Sequence, residues 1–112
     1  MDEKVRKLLY DVKMAIDEID EFCNGYTYEL YRGNRMLQSA VERQFEIIGE
    51  ALSRLRKVDL HIFNLITDSE RIIGLRNVIA HGYDIVDVEI LWNVYIEKIP
   101  VLSNDISKIL MM

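Results

Sequence analysis

One cysteine and one proline are all that these 112 residues contain of either. Cys23 has no second cysteine to pair with, so an internal disulfide is excluded, which fits a reducing compartment. Its place at the end of an apolar pattern suits a small buried hydrophobe better than a nucleophile. With two histidines besides, His61 and His81, no ligand spacing of a zinc site can be assembled, and no metal or resident cofactor is expected. A single proline and five glycines are too few for a disordered tail or a loop-rich sandwich. No apolar run approaches the length of a membrane span. The opening MDEKVRKLLYDVK is charged and amphipathic, unlike a secretory signal. A cytoplasmic protein of a bacterium or archaeon, built as one domain over residues 1–112, is the expectation.

Net positive charge is lacking too: the formal charge is −5. That argues mildly against a general nucleic-acid binder, because phosphate contacts need local lysine or arginine. The distribution is uneven, however. Seven of the eight arginines fall between Arg32 and Arg76. They could form a basic patch within an acidic protein. The plainer expectation for most of them is pairing with Glu42, Glu46, Glu50 and Glu70 on solvated helix faces.

What is present is helical periodicity. Val5, Leu8, Val12, Ile16, Ile19 and Cys23 recur every three or four residues and predict a helix over 3–23, stopped by Asn24-Gly25. A tyrosine-rich connection follows, with Tyr26, Tyr28 and Tyr31 free either to pack or to stack on bases; packing is the simpler role. Residues 34–57 carry the longest stripe, Met36-Leu37, Ala40-Val41, Gln44-Phe45, Ile48, Ala51-Leu52 and Leu55. Gly49 interrupts that helix at a cost of roughly 1 kcal/mol relative to alanine. Close approach of another helix is the simplest use of its missing side chain. Glu46 and Glu50 beside it can pair with nearby arginines or orient one. Residues 58–68 read as a short helix or an irregular link, with His61 packed or exposed. Asp68 or Ser69 opens the next helix, which ends near His81 against Gly82. Asp84 or Asp87 opens another, with Val88, Leu91-Trp92, Tyr95 and Ile96 inward, and Pro100 starts a last helix over 100–112. No strand pattern and no repeat occur, so the expected fold is an all-α bundle of four to five helices around a long antiparallel pair.

The stretch RNVIAHGY, residues 76–83, concentrates chemistry at one helix end. Arg76 and His81 lie about 140° apart on an ideal helix, whereas Asn77 and His81 share a face. A long arginine can curl toward the last turn, or a two-fold dimer can collect both residues from two copies in one cleft. Histidine moves protons near neutral pH, and arginine holds phosphate oxygens in a fork. Together they suit attack of an RNA 2′-hydroxyl on its own phosphate, with Asn77 in support. Spacing alone favours a simpler role, a surface arginine beside a histidine that satisfies the last carbonyls of its helix.

The wider pattern adds to this. Arginine, a polar residue, three more and then histidine resembles the signature of the HEPN family, and Tyr83 two places after His81 makes it similar to the HepT-type toxins. The run EIIGEA at 46–51, the LRN approach at 75–77 and DVEILWNVYIEKIPVL at 87–102 agree, so the resemblance extends from about Val5 to Leu110. The stretch 58–68 lacks the proline and tryptophan that many relatives carry ahead of the motif. The resemblance implies a HEPN-type homodimer with Arg76 and His81 at the dimer cleft, acting as a metal-independent endoribonuclease on RNA. It also implies a partner, an MntA-like nucleotidyltransferase antitoxin, which uses ATP to add AMP to Tyr83. Arg43 on the long helix would help guide RNA. A non-catalytic subunit of the same fold, held by such a nucleotidyltransferase, is the alternative.

Overall fold

The computed structural model describes residues 1–81 and 87–112, apart from the side chain of His81. The described chain is all-α, as the periodicity predicts. Its helices are α1 (Glu3–Cys23), α2 (Tyr28–Arg32), α3 (Arg35–Val58), α4 (Leu60–Phe63), α5 (Ser69–His81), α6 (Val88–Glu97) and α7 (Ile99–Leu110). Five of these are long, matching the expected number, and two are single turns. Among the described residues no helix is long and apolar enough to cross a membrane.

Three of the long helices, α1, α3 and α6, start where a side chain accepts the orphan N–H groups of the first turn. Asp2 accepts from Lys4 N at 2.7 Å, Asn34 from Leu37 N at 2.9 Å, and Asp87 from Glu89 N at 2.9 Å. Helix α1 stops at Cys23 because Gly25 takes φ +81°, a conformation glycine adopts without a Cβ penalty. Pro100 sits in the first turn of α7, where its missing N–H costs nothing.

Helices α1 and α3 form the antiparallel pair. Lys4 and Lys7 near the start of α1 line the same depression as Lys57 and Val58 at the end of α3. Between them lie Leu9, Ile16 and Ile19 from α1 and Phe45, Ile48, Leu52 and Leu55 from α3, all fully buried. Each such side chain contributes about 1.5–3 kcal/mol by leaving water. Leu91 of α6 and Leu102 and Ile106 of α7 complete one continuous core. The Cys23 thiol belongs to it, and burial first, then the charge of Asp20, pushes its pKa up to about 11. A protonated buried thiol is a poor nucleophile, in keeping with the packing role expected of it.

Several expectations need correction. The periodicity predicts Met36 in the buried stripe of the long helix and Ile96 on the inner face of the next to last, yet both are exposed. Met36 lies in the first turn of α3, where its neighbour Leu37 is the residue that turns into the core. On α6, Leu91 faces the core, and Ile90 and Ile96 fall on the opposite side. Tyr28 and Tyr31 pack, as the simpler role predicts, whereas Tyr26 is exposed. Tyr28, Tyr31 and Tyr95 surround Trp92 with ring centroids at 6.5, 5.0 and 5.3 Å. Gln38, unremarked in the sequence, is buried because its amide donates at 3.0 Å to the carbonyls of both Tyr31 and Arg32. His61 is exposed.

Candidate functional site

Gly49 is where α3 and α5 meet. A Cβ added there would fall inside the contact shell of Arg76 Cβ and only 2.5 Å from its Cγ. The close approach expected at this glycine is therefore real, and what fills the space is the root of the candidate catalytic arginine. The rest of that side chain runs across the α3 surface to Glu50. Arg76 Nη2 donates to Glu50 Oε2 at 2.9 Å, and Arg76 Nη1 donates to Asn77 Oδ1 at 3.0 Å. Two acceptors thus fix the plane of the guanidinium, as a fork geometry allows. Its Nε is buried and has no acceptor among the described residues. The arginine side chain as a whole is 28% exposed, so its charge faces outward while its stem is seated on the helix pair.

Glu50 is shared. Its other oxygen accepts from Arg54 Nε at 3.1 Å. One carboxylate bridges two guanidinium groups, Arg54 one turn along α3 and Arg76 across the helix crossing. Arg43 lies one turn before Glu46 and approaches it at 3.8 Å. These side chains, with Leu8 and Asp11 of α1, border a groove with a volume of about 330 Å³. The structure therefore brings Arg43 and Arg76, 33 positions apart, to one depression. The expectation that most arginines are paired also holds: Arg35 meets Glu42 at 2.9 Å and Arg56 meets Glu70 at 2.7 Å. Arg76 differs from these, because its pair is anchored at the root by the helix crossing.

The motif helix is set by its own approach. Asp68 adopts φ +57°, and its carbonyl accepts from Ile72 N at 3.1 Å to open α5. Asp68 is held by Lys98 at 3.2 Å, and Thr67 N by Asp105 at 2.9 Å. Both contacts tie the link ahead of the motif to the region around α7. Ile72 and Ile73 bury the start of α5, leaving its later residues along α3. His81 is the last residue of α5. Its side chain and Tyr83, the expected modification site, lie outside the described residues. Asn77, expected in a supporting role, accepts from Arg76 through its Oδ1.

Asp11, Arg54 and Lys57, which line this groove and its continuation, were not singled out from sequence. Asp11 comes from α1 and had no signal of its own. Arg54 and Lys57 extend the spacing Arg43, Glu46, Glu50 along one face of α3, and that three- or four-residue rhythm of charges was the available clue. Among the described residues no three His, Cys, Asp or Glu side chains converge on one point.

Comparison with known proteins gives a consistent set of matches. The family described as “Ribonuclease HepT-like” matches residues 12–109. The chain is similar to “Putative RNase MJ1380” of Methanocaldococcus jannaschii, with 30% identity over 92% of this chain and 94% of that protein. It is 31% identical to “Putative RNase MJ0127” of the same organism, over 94% of this chain and 84% of the relative. It is also 32% identical to “Probable ribonuclease HepT” of Thermococcus cleftensis, over 90% of this chain and 91% of the other. No solved structure gives a significant match.

Proposed function

Because the chain belongs to the HepT-like ribonuclease family, we propose that it is a metal-independent endoribonuclease toxin, working as a homodimer through Arg76 and His81. The observation that carries this reading is the fixed guanidinium of Arg76. It is seated on Gly49, aimed by Glu50 and Asn77, and open to a groove. A preset positive group is what a phosphorane transition state requires, since the charge it stabilises develops only as the reaction proceeds.

The chemistry is an internal displacement. The 2′-oxygen of the RNA forms a bond to the adjacent phosphorus, and the bond from phosphorus to the 5′-oxygen breaks. One proton leaves the 2′-hydroxyl and one arrives on the departing oxygen. His81 moves these protons, with the second copy's histidine available for the opposite transfer in a two-fold cleft. Arg76 neutralises the charge on the non-bridging oxygens. Asn77 supports by holding Arg76. The products are a 2′,3′-cyclic phosphate and a 5′-hydroxyl. Purified protein of verified unmodified mass should cleave RNA in EDTA to these ends, and His81→Ala should not. Failure of the unmodified dimer across a panel of RNAs would leave a non-catalytic binding subunit as the better account.

Regulation follows from Tyr83, one residue beyond Gly82. A partner nucleotidyltransferase would join the tyrosine oxygen to the α-phosphorus of ATP and release pyrophosphate. The added phosphate and base would compete with RNA for Arg76. Such an enzyme with labelled ATP should label the wild type and leave Tyr83→Phe unlabelled. Equal labelling of the two would sink this part.

A further inference from the structure

A second depression, of about 410 Å³, continues the groove away from Arg76 toward the start of α1. The two share Leu8, Asp11 and Arg54. The second is rimmed by Lys4, Lys7, Arg54 and Lys57 against the single carboxylate of Asp11, over a floor of Leu8 and Val58. Four cations to one anion is an unusual balance for a chain with a net charge of −5. We propose that this lysine-rimmed channel between α1 and α3 carries a single RNA strand away from the cleavage point, its phosphates on the rim and its bases over the apolar floor. The inference rests on the ribonuclease reading above and adds a substrate class to it: RNA with several unpaired nucleotides on one side of the scissile phosphate.

The placement supports it. From the level of Glu50, which holds Arg76, to Lys57 is about 10 Å along α3 at ~1.5 Å per residue. Lys4 and Lys57 have no carboxylate partner among the described residues, so their charge is available to phosphate. Lys7 is paired with Asp11 at 3.1 Å and Arg54 with Glu50 at 3.1 Å, but the lysine is 75% and the arginine 68% exposed. Exposed pairs of this kind are weak and open readily to a competing anion. Each phosphate neutralised also releases counterions, which makes binding steeply salt-dependent.

The test compares Lys4→Glu/Lys57→Glu with Lys13→Glu/Lys108→Glu, a pair with the same change in net charge placed elsewhere, all in a His81→Ala background. Binding of a labelled single-stranded RNA 12-mer is followed by fluorescence anisotropy across a salt series. The channel pair should weaken binding at least tenfold and lower the salt slope by about 1.4, at ~0.7 per lost phosphate contact. The control pair should change binding far less. With His81 restored, the channel pair should slow cleavage of the 12-mer and spare a trinucleotide too short to reach Lys57. Equal loss in both pairs, no loss, or a shift in sedimentation for the channel pair alone would overturn the proposal, the last by making this face an interface between copies. Undiminished binding with intact cleavage would remove the channel and keep the ribonuclease. Channel-dependent binding without cleavage by any wild-type preparation would do the reverse.

Discussion

Replacing Arg76 with alanine is expected to reduce RNA cleavage by about 10²–10³-fold, the usual effect of losing one charge-stabilising donor, and to leave the fold standing. The two halves of that expectation come from different parts of the side chain. The Cβ that packs on Gly49 is retained by alanine, so the α3–α5 crossing keeps its closest contact. What disappears is the guanidinium and its bonds to Glu50 and Asn77. The ion pair is 28% and 45% exposed, and pairs in that setting contribute about 0–1 kcal/mol. A melting temperature within a few degrees of wild type, with cleavage nearly gone, is therefore the outcome to look for by calorimetry and gel assay together. Arg76→Lys should recover little, because an ammonium cannot serve Glu50, Asn77 and a phosphate from one plane. Full activity in Arg76→Ala would remove the arginine from the mechanism. A collapsed fold would make its role structural.

Gly49→Ala is the second variant with a large expected effect, and its sign is not obvious from sequence. Alanine is the better helix former by about 1 kcal/mol, so an exposed site would be stabilised. Here the new methyl meets Arg76 Cβ and Cγ. The Cβ is fixed to the α5 backbone and cannot swing aside as the end of a long side chain would. Either the helices separate or Arg76 leaves its rotamer, and overpacking of this kind costs about 1–3 kcal/mol. After the propensity gain, the net expectation is a loss of up to about 2 kcal/mol and up to ~10 °C in melting temperature. Cleavage should fall further than stability, since the displaced root carries the guanidinium away from Glu50. A double-mutant cycle isolates the contact: Gly49→Ala should cost less in an Arg76→Gly background than in wild type. Equal cost in both backgrounds would show that the methyl is accommodated elsewhere.

Much of this was legible in the residues. The long helices announced themselves by period, and Asn24-Gly25, Asp87 and Pro100 marked their ends for local reasons that need no partner. Gly49 signalled a close approach, because an interior glycine is costly unless something uses it. Its neighbour could not be named, since Arg76 reaches it only through the crossing of α3 and α5. The same holds for Arg43 and Arg76 in one groove. The single turns α2 and α4 are too short to show a period. They exist through the caps of Thr27, which accepts from Leu30 N at 3.3 Å, and Asp59, which accepts from Ile62 N at 3.0 Å. Periodicity also left Met36 and Ile96 on the wrong side, because a stripe wide enough to include neighbours does not say which of them the partner helix reaches. For the site, the motif chose Arg76 and Asn77, but not that one would hold the other.

The seat of Arg76 on Gly49 has a consequence for the thermodynamics of substrate capture. A free arginine side chain carries about 2 kcal/mol of rotamer entropy. Here the first torsions are restricted by the α3 backbone and the last by Glu50 and Asn77, so much of that freedom is already given up when the chain folds. The disorder lost on meeting a phosphate is correspondingly smaller, and the loss is charged to the stability of the helix pair instead. Binding of a short RNA to this protein should then show a smaller entropic opposition than binding to a variant in which Glu50 no longer restrains the guanidinium.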